Sequence, residues 1–100
     1  MLIYNTTYHV EDDVRDHFLI WLKECLIPEV EKDGVLTSPR LCRVISHRDS
    51  GTNYSLQWEV ENSTVLHRWH VASGARYSDE LTKLFGKKVV GFPTLLEEVE

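Results

Sequence analysis

Asn53-Tyr54-Ser55-Leu56-Gln57-Trp58-Glu59-Val60 decides the fold, because its residues alternate without a break. Tyr54, Leu56, Trp58 and Val60 point one way, while Ser55, Gln57 and Glu59 point the other. A period of two marks a half-buried β-strand, with one face on a core and the other on water or a partner. Just upstream, Asp49-Ser50-Gly51-Thr52 reads as a short turn and residues 41–48 as a second strand, so the two strands form an antiparallel hairpin. Thr37-Ser38-Pro39 reads as the loop before it.

Further out on either side the period changes to that of a helix. Downstream, Glu61-Asn62-Ser63 starts one. Val65, Leu66, Trp69 and Ala72 make one apolar stripe, and Tyr77, Leu81, Leu84 and Phe85 make another. Gly74 between them breaks or bends the segment, Lys83 suits a helix end, and Gly86 stops it. Upstream, Glu11-Asp12-Asp13 places acids at the positive end of a helix, with Asp12 or Asp13 as the cap. Val14, Phe18, Trp21, Leu22, Cys25 and Leu26 follow at steps of three and four as its buried stripe. Pro28 kinks that helix or begins a new turn, and Gly34 ends it. Residues 2–10, rich in Ile, Tyr, Thr and Val, and residues 88–96 complete the pattern as strands. The acidic tail from Glu97 is expected to fray.

The element order is therefore βαββαβ in one domain spanning residues 1–100. Two crossovers through helices ask for parallel neighbours, and right-handed connections leave few topologies. The simplest is the α+β ferredoxin-like arrangement: a four-stranded antiparallel-type sheet with both helices on one face. Strands one and three are then central. The last strand conflicts with its edge position, because Val89, Val90, Phe92, Leu95 and Leu96 put apolar groups on both of its faces. An apolar edge invites pairing. A second copy closing face to face, as a dimeric α/β barrel, is the most economical cover. A C-terminal strand folded over its own open face is the alternative.

Composition narrows the function. The net charge is −5, from 11 basic against 16 acidic residues, so no basic stripe exists for a phosphate backbone or an anionic membrane surface. The longest apolar run, residues 18–22, is too short to span a bilayer. Met1-Leu2-Ile3-Tyr4-Asn5 lacks the features of a signal peptide. The two cysteines, Cys25 and Cys42, have no motif spacing and read as buried free thiols in a reducing cytoplasm.

Several motifs look familiar together. Ile3-Tyr4-Asn5-Thr6-Thr7-Tyr8-His9-Val10, Ile27-Pro28, Pro39-Arg40-Leu41 and Gly91-Phe92-Pro93-Thr94-Leu95-Leu96-Glu97-Glu98 resemble a small bacterial family known only as a domain of unknown function. The resemblance covers nearly the whole chain. It implies the dimeric α/β barrel and no particular activity. A wider similarity is to the antibiotic-biosynthesis-type monooxygenases. Their haem-degrading branch uses an Asn on strand one, a Trp on helix two and a His further along that helix. Asn5 and Trp69 fall in comparable places, but the stretch where that His belongs reads Ala75-Arg76-Tyr77-Ser78-Asp79-Glu80. Without an axial nitrogen there, the resemblance argues against haem degradation.

The candidate chemistry is sparse. His67 and His70, at i and i+3, have a spacing that holds a metal with His9 or His17 as a third ligand, but solvated histidines flanking Trp69 explain them as well. No metal and no cofactor is expected. Asn5, Thr7 and His9 share one face of strand one; either they orient a small polar ligand and supply a base, or they are polar groups on the barrel face. Gln57 and Glu59 join them from strand three. On the other face, Tyr4, Thr6 and Tyr8 read as core under a helix. Trp21, Trp58 and Trp69 sit at core positions and also suit an apolar pocket between sheet and helices. Asn5, Trp21, Trp69 and Tyr77 are the candidate pocket. No nucleophile elbow or phosphate loop is present.

Two readings of function follow. One is a homodimeric, cytoplasmic small-ligand-binding or interaction module without a catalytic cluster. The other is a cofactor-independent monooxygenase- or isomerase-like enzyme acting on a small apolar or aromatic substrate in the sheet–helix pocket. Whether the chain is an enzyme stays open at this point.

Overall fold

Residues with branched or aromatic side chains build four strands in the computed structural model, which describes residues 1–45 and 50–99. They are β1 (Leu2–Val10), β2 (Thr37–Val44), β3 (Thr52–Val60) and β4 (Val89–Glu97). They form one sheet in the order β2-β3-β1-β4, antiparallel throughout. The central and edge positions agree with the alternation in the sequence, and the fold is ferredoxin-like. Parallel neighbours do not occur, because each helical crossover passes over one strand: β1 reaches β2 across β3, and β3 reaches β4 across β1.

β4 lies in the sheet and does not fold over its open face. It pairs with β1 from Leu2↔Glu97 to Val10↔Val89. The tail is tied further than expected, since the Glu98 amide donates to the Met1 carbonyl at 3.4 Å. β2 begins earlier than its composition suggests. Thr37-Ser38-Pro39 belongs to the strand, where a bulge shifts the register between Thr37 and Arg40 and Ser38 takes φ 53°. Of the strand predicted for 41–48, Ile45 lies past its end, and residues 46–48, together with Asp49 of the turn, lie outside the described residues.

Both helical layers cover one face of the sheet and share one departure from regularity. The first contains a 3₁₀ turn (Asp12–Val14), α1 (Arg15–Trp21), a π turn (Leu22–Leu26) and α2 (Ile27–Asp33). A proline ring collides with the carbonyl four residues earlier, here Glu24. The wide turn around Glu24 relieves that collision without breaking the segment. It also carries Cys25 off the buried stripe, so this thiol is exposed; Cys42, on the bare sheet face, is exposed too. Both cysteines were expected to be buried. Neither Asp12 nor Asp13 caps the helix; Glu11 occupies the cap position with no side-chain bond. Asp13 instead pairs with Lys88, in the 3₁₀ turn just before β4. Gly34 closes the segment at φ 78°, a left-handed cap that favours glycine.

The second layer contains α3 (Ser63–Trp69), a π turn (His70–Gly74) and α4 (Ala75–Phe85). Asn62 caps it, its Oδ1 accepting from the Val65 amide at 2.9 Å. The wide turn moves Ala72 out of the apolar stripe and leaves it exposed. Leu84, expected inside, is 56% exposed.

The core forms between these layers. Phe18, Leu22 and Leu36 meet Val10, Leu56 and Val60, all essentially inaccessible to water. Phe18 is its hub, with its ring centroid 5.1 Å from that of Tyr8 and 5.9 Å from that of Phe85. Among the described residues no charged or polar side chain is buried in it.

Candidate functional site

The alternation of β1 and β3 sorts the candidate residues into two places. Even-numbered positions of both strands, including Tyr4, Thr6, Tyr8, Leu56 and Trp58, turn toward the helices. Odd-numbered positions turn to the open face. Because Asn5 pairs across the sheet with Gln57 and Thr94, it lies on the open face. Trp21, Trp69 and Tyr77 lie on the other side of the sheet. The structure thus brings three of the four candidate pocket residues together and separates Asn5 from them.

Those three residues line a cavity of about 350 Å³ between the sheet and the helices. Its floor is Tyr4, Thr6, Tyr8 and Trp58, and its roof includes Gly74, Tyr77 and Leu81. The size falls within the range of small-molecule sites. Trp69 is 8% exposed. Tyr4 meets its ring edge-on at 6.3 Å and Tyr77 stacks on it at 6.2 Å. Gly74 packs directly against the indole: a Cβ there would stand 2.6 Å from Trp69 Cζ3. The sequence presents Gly74 as a helix breaker, and nothing in it signals this contact.

The polar groups around the cavity are unevenly satisfied. Trp21 Nε1 donates to Glu80 Oε1 at 2.8 Å. The Tyr77 hydroxyl accepts from Arg76 Nη2 at 3.3 Å. Trp69 Nε1, by contrast, is buried with no partner. A buried unmade hydrogen bond costs about 1–3 kcal/mol, so such groups are rare in folded proteins. Burial pushes the Tyr8 phenol well above its ordinary range, and the neighbouring Tyr4 adds to that shift. Tyr8 is therefore an un-ionised hydroxyl at neutral pH. Among the described residues, no Asp, Glu, Lys or Arg lines the cavity; His70 stands at its exposed rim.

The opposite face of the sheet is a second feature. Its polar centre is bonded within the chain: Ser55 Oγ donates to Asn5 Oδ1 at 2.5 Å and Asn5 Nδ2 to Thr7 Oγ1 at 3.2 Å. His9 Nδ1 lies 2.7 Å from Asn53 Oδ1, and an amide oxygen only accepts, so Nδ1 carries the proton. Gln57 and Glu59 lie alongside in β3, half-buried. Apolar side chains flank this centre on β4, where Val90 is 41% exposed, Phe92 59% and Leu96 41%. Val89 and Leu95 turn to the helix side with Val10 and Tyr4. The final strand is thus apolar on both faces and carries exposed apolar groups along its length.

Among the described residues the histidines do not converge. His17, His67 and His70 are exposed on the helices, while His9 is on the far side of the sheet. Among the described residues, no three His, Cys, Asp or Glu side chains gather as metal ligands, and no helix is long and apolar enough to cross a membrane.

Comparison with known proteins agrees with this architecture. The chain resembles an ethyl tert-butyl ether d (EthD) family protein from Bacillus halodurans, with TM-score 0.73, 13% identity and coverage of 99% of this chain and 100% of the other. It resembles an antibiotic biosynthesis monooxygenase at TM-score 0.71 and 16% identity, covering both chains fully (100% and 100%). A dimeric ferredoxin-like protein from an uncultured marine organism matches at TM-score 0.59 and 15% identity, over 99% of this chain and 96% of that one. Identities this low establish the fold alone. No functionally curated protein matches the sequence. Residues 1–99 match one sequence family across essentially the whole βαββαβ unit, and the chain belongs to that family, the domain of unknown function DUF4286.

Proposed function

We propose that this chain is a single-domain protein that binds a small, ring-bearing apolar molecule between its sheet and its helices, as one half of a homodimer. The aromatic cavity of about 350 Å³ carries this reading. A domain of this size packs its interior to near-crystalline density, and a space walled by Trp21, Trp58, Trp69 and Tyr77 suits a planar guest. The dimer rests on β4, whose exposed Val90, Phe92 and Leu96 are covered when two open faces meet. Asn5, Thr7 and Ser55 bond one another, so they enter such an interior without losing partners. The dimeric ferredoxin-like relative supports the same assembly. Exposed free Cys25 and Cys42 fit a reducing compartment, the cytoplasm.

The test is a titration with 2-acetylnaphthalene followed by tryptophan fluorescence and calorimetry. Saturable binding of one molecule per chain is expected. Absence of saturable binding by any naphthalene probe overturns the proposal.

Likeness to the antibiotic biosynthesis monooxygenase favours an oxygenase as a second reading. An oxygen electrode separates the two: binding alone leaves the uptake of oxygen by 1,4-dihydroxynaphthalene at the buffer rate. Protein-dependent acceleration that saturates with substrate assigns the oxygenase role.

A further inference from the structure

Building on the binding reading above, we infer that the apolar ring is one end of an amphipathic ligand, an aryl acid whose anionic group stays at the cavity mouth beside His70. The position of the mouth comes first. Most of the lining is buried or half-buried, and its exposed members fall on two segments: His70, Ser78 and Thr82 on the second helical layer, and Val90, Gly91 and Pro93 on β4. The cavity therefore opens along the crevice between that layer and the edge strand. Gly91 leaves the crevice unfilled. It pairs with Tyr8 on the helix side, and a Cβ there would stand 3.2 Å from two carbons of the Tyr8 ring, over the cavity floor.

The lining then sorts the two ends of the ligand. Behind the mouth the walls are mainly rings and aliphatic groups, and among the described residues no Asp, Glu, Lys or Arg joins them. A charge carried inward gives up its hydration for nothing of opposite sign. The ring therefore goes in and the charged group stays at the lip. His70 sets the sign of that group, because among the described residues it is the lining side chain that can become cationic near neutral pH. Its imidazole folds back toward the roof: Nδ1 lies 3.1 Å from where a Cβ on Gly74 would be. Being exposed, the ring takes up a proton without leaving water, and its N–H then gives an anion a charge-assisted bond. The Ser78 hydroxyl, further along the same layer, is a second donor, whereas Thr82 donates its own to the Ser78 carbonyl at 3.1 Å. An ammonium group finds no carboxylate on this lining.

Three probes with the same ring and arms of similar size test this at pH 6: 2-naphthylacetate, an anion; 2-naphthylacetamide, neutral; and 2-(2-naphthyl)ethylamine, a cation. On the wild-type protein the acetate is expected to bind about two- to tenfold tighter than the acetamide, the range of one charge-assisted bond in an exposed setting. It is expected to bind at least about fivefold tighter than the amine. Its advantage shrinks in about 0.5 M sodium chloride, which screens an exposed pair. The His70 ring signals shift in the NMR spectrum as the acetate is added. His70→Gln keeps a polar side chain without the charge, so it reduces the acetate to the affinity of the acetamide and leaves the acetamide within about twofold. Acetamide or amine binding as tightly as the acetate to the wild-type protein, or an acetate preference that survives His70→Gln, overturns the inference while the binding site stands. Failure of all three probes removes the binding site itself. The wild-type comparison decides the question even where the variant does not fold.

Discussion

The α-carbon of Gly74 lies so close to the Trp69 indole that a methyl group on it would stand 2.6 Å from Cζ3. In an ordinary helix, Gly→Ala stabilises by up to about 1 kcal/mol. Here Tyr4 and Tyr77 hold the ring from two sides, so the added methyl pushes a rigid aromatic rather than a flexible chain end. Overpacking of this kind costs about 1–3 kcal/mol. Gly74→Ala is therefore expected to destabilise the fold by about 1–2 kcal/mol in urea unfolding, the clash outweighing the propensity gain. It also weakens naphthalene binding, because the indole yields toward the cavity. A raised unfolding midpoint would show that the ring moves freely.

The second prediction concerns the hub of the core. Phe18 is fully buried and contacts Tyr8, Trp21, Tyr54 and Phe85. Truncating a buried aromatic costs about 3–5 kcal/mol, a large share of the roughly 5–15 kcal/mol that holds a domain together. Phe18→Ala is expected to lower the urea midpoint accordingly, with the slope unchanged. A loss below about 1 kcal/mol would mean that the four aromatic neighbours close over the gap.

These two residues also show how far the sequence is legible. Phe18 is visible at once, because its spacing to Trp21 and Leu22 is that of a helix with one buried face. The strand order is visible for the same reason: Tyr54 to Val60 alternate and β4 does not. Gly74 is read only as an interruption, since spacing carries no trace of which ring a missing side chain admits. Asn5 shows another limit. The resemblance to the monooxygenases groups it with Trp69 in one pocket, yet odd and even positions of a strand face opposite ways, and the pleat puts the sheet between them. Cys25 fails for a third reason. The wide turn demanded by Pro28 changes the angular step, so a residue on the stripe of a regular helix turns outward here.

The third prediction concerns pH. A hydrogen bond from Lys88 holds the Asp13 carboxyl below its ordinary 3.8, and the same bond raises the Lys88 ammonium above 10.5. The depressed Asp13 contributes stability above its unfolded value, and this is lost as pH falls through the folded value. The raised Lys88 contributes below its unfolded value, and this is lost as pH rises through the folded one. Tyr8, raised by burial, acts in the same direction as Lys88 at the alkaline end. The pair is exposed, so the effect is small and salt-sensitive. In Lys88→Met, carbon-detected NMR is expected to return Asp13 to its ordinary titration range, while the alkaline loss due to Tyr8 persists. An unchanged Asp13 midpoint would show that the pair does not form in solution.

Phe92 tests the proposed assembly. It lies opposite Thr7 on the open face and is 59% exposed, so a single chain gains little from its ring. In a face-to-face dimer the same ring is buried, and an aspartate in its place puts two like charges into the interface, one from each copy. The wild-type protein is expected to scatter light as twice the 11.7 kDa chain and Phe92→Asp as one chain. Its far-ultraviolet circular dichroism should be unchanged, because this position takes no part in the core. The comparison with Val89→Asp sharpens the test. Val89 pairs with Val10 on the helix side and is 5% exposed, so charge there strikes the domain itself, lowering its stability before altering the assembly. If Phe92→Asp remains a dimer, the open face is not where the copies meet. If the wild type is already a monomer, the apolar strip on β4 serves some other contact.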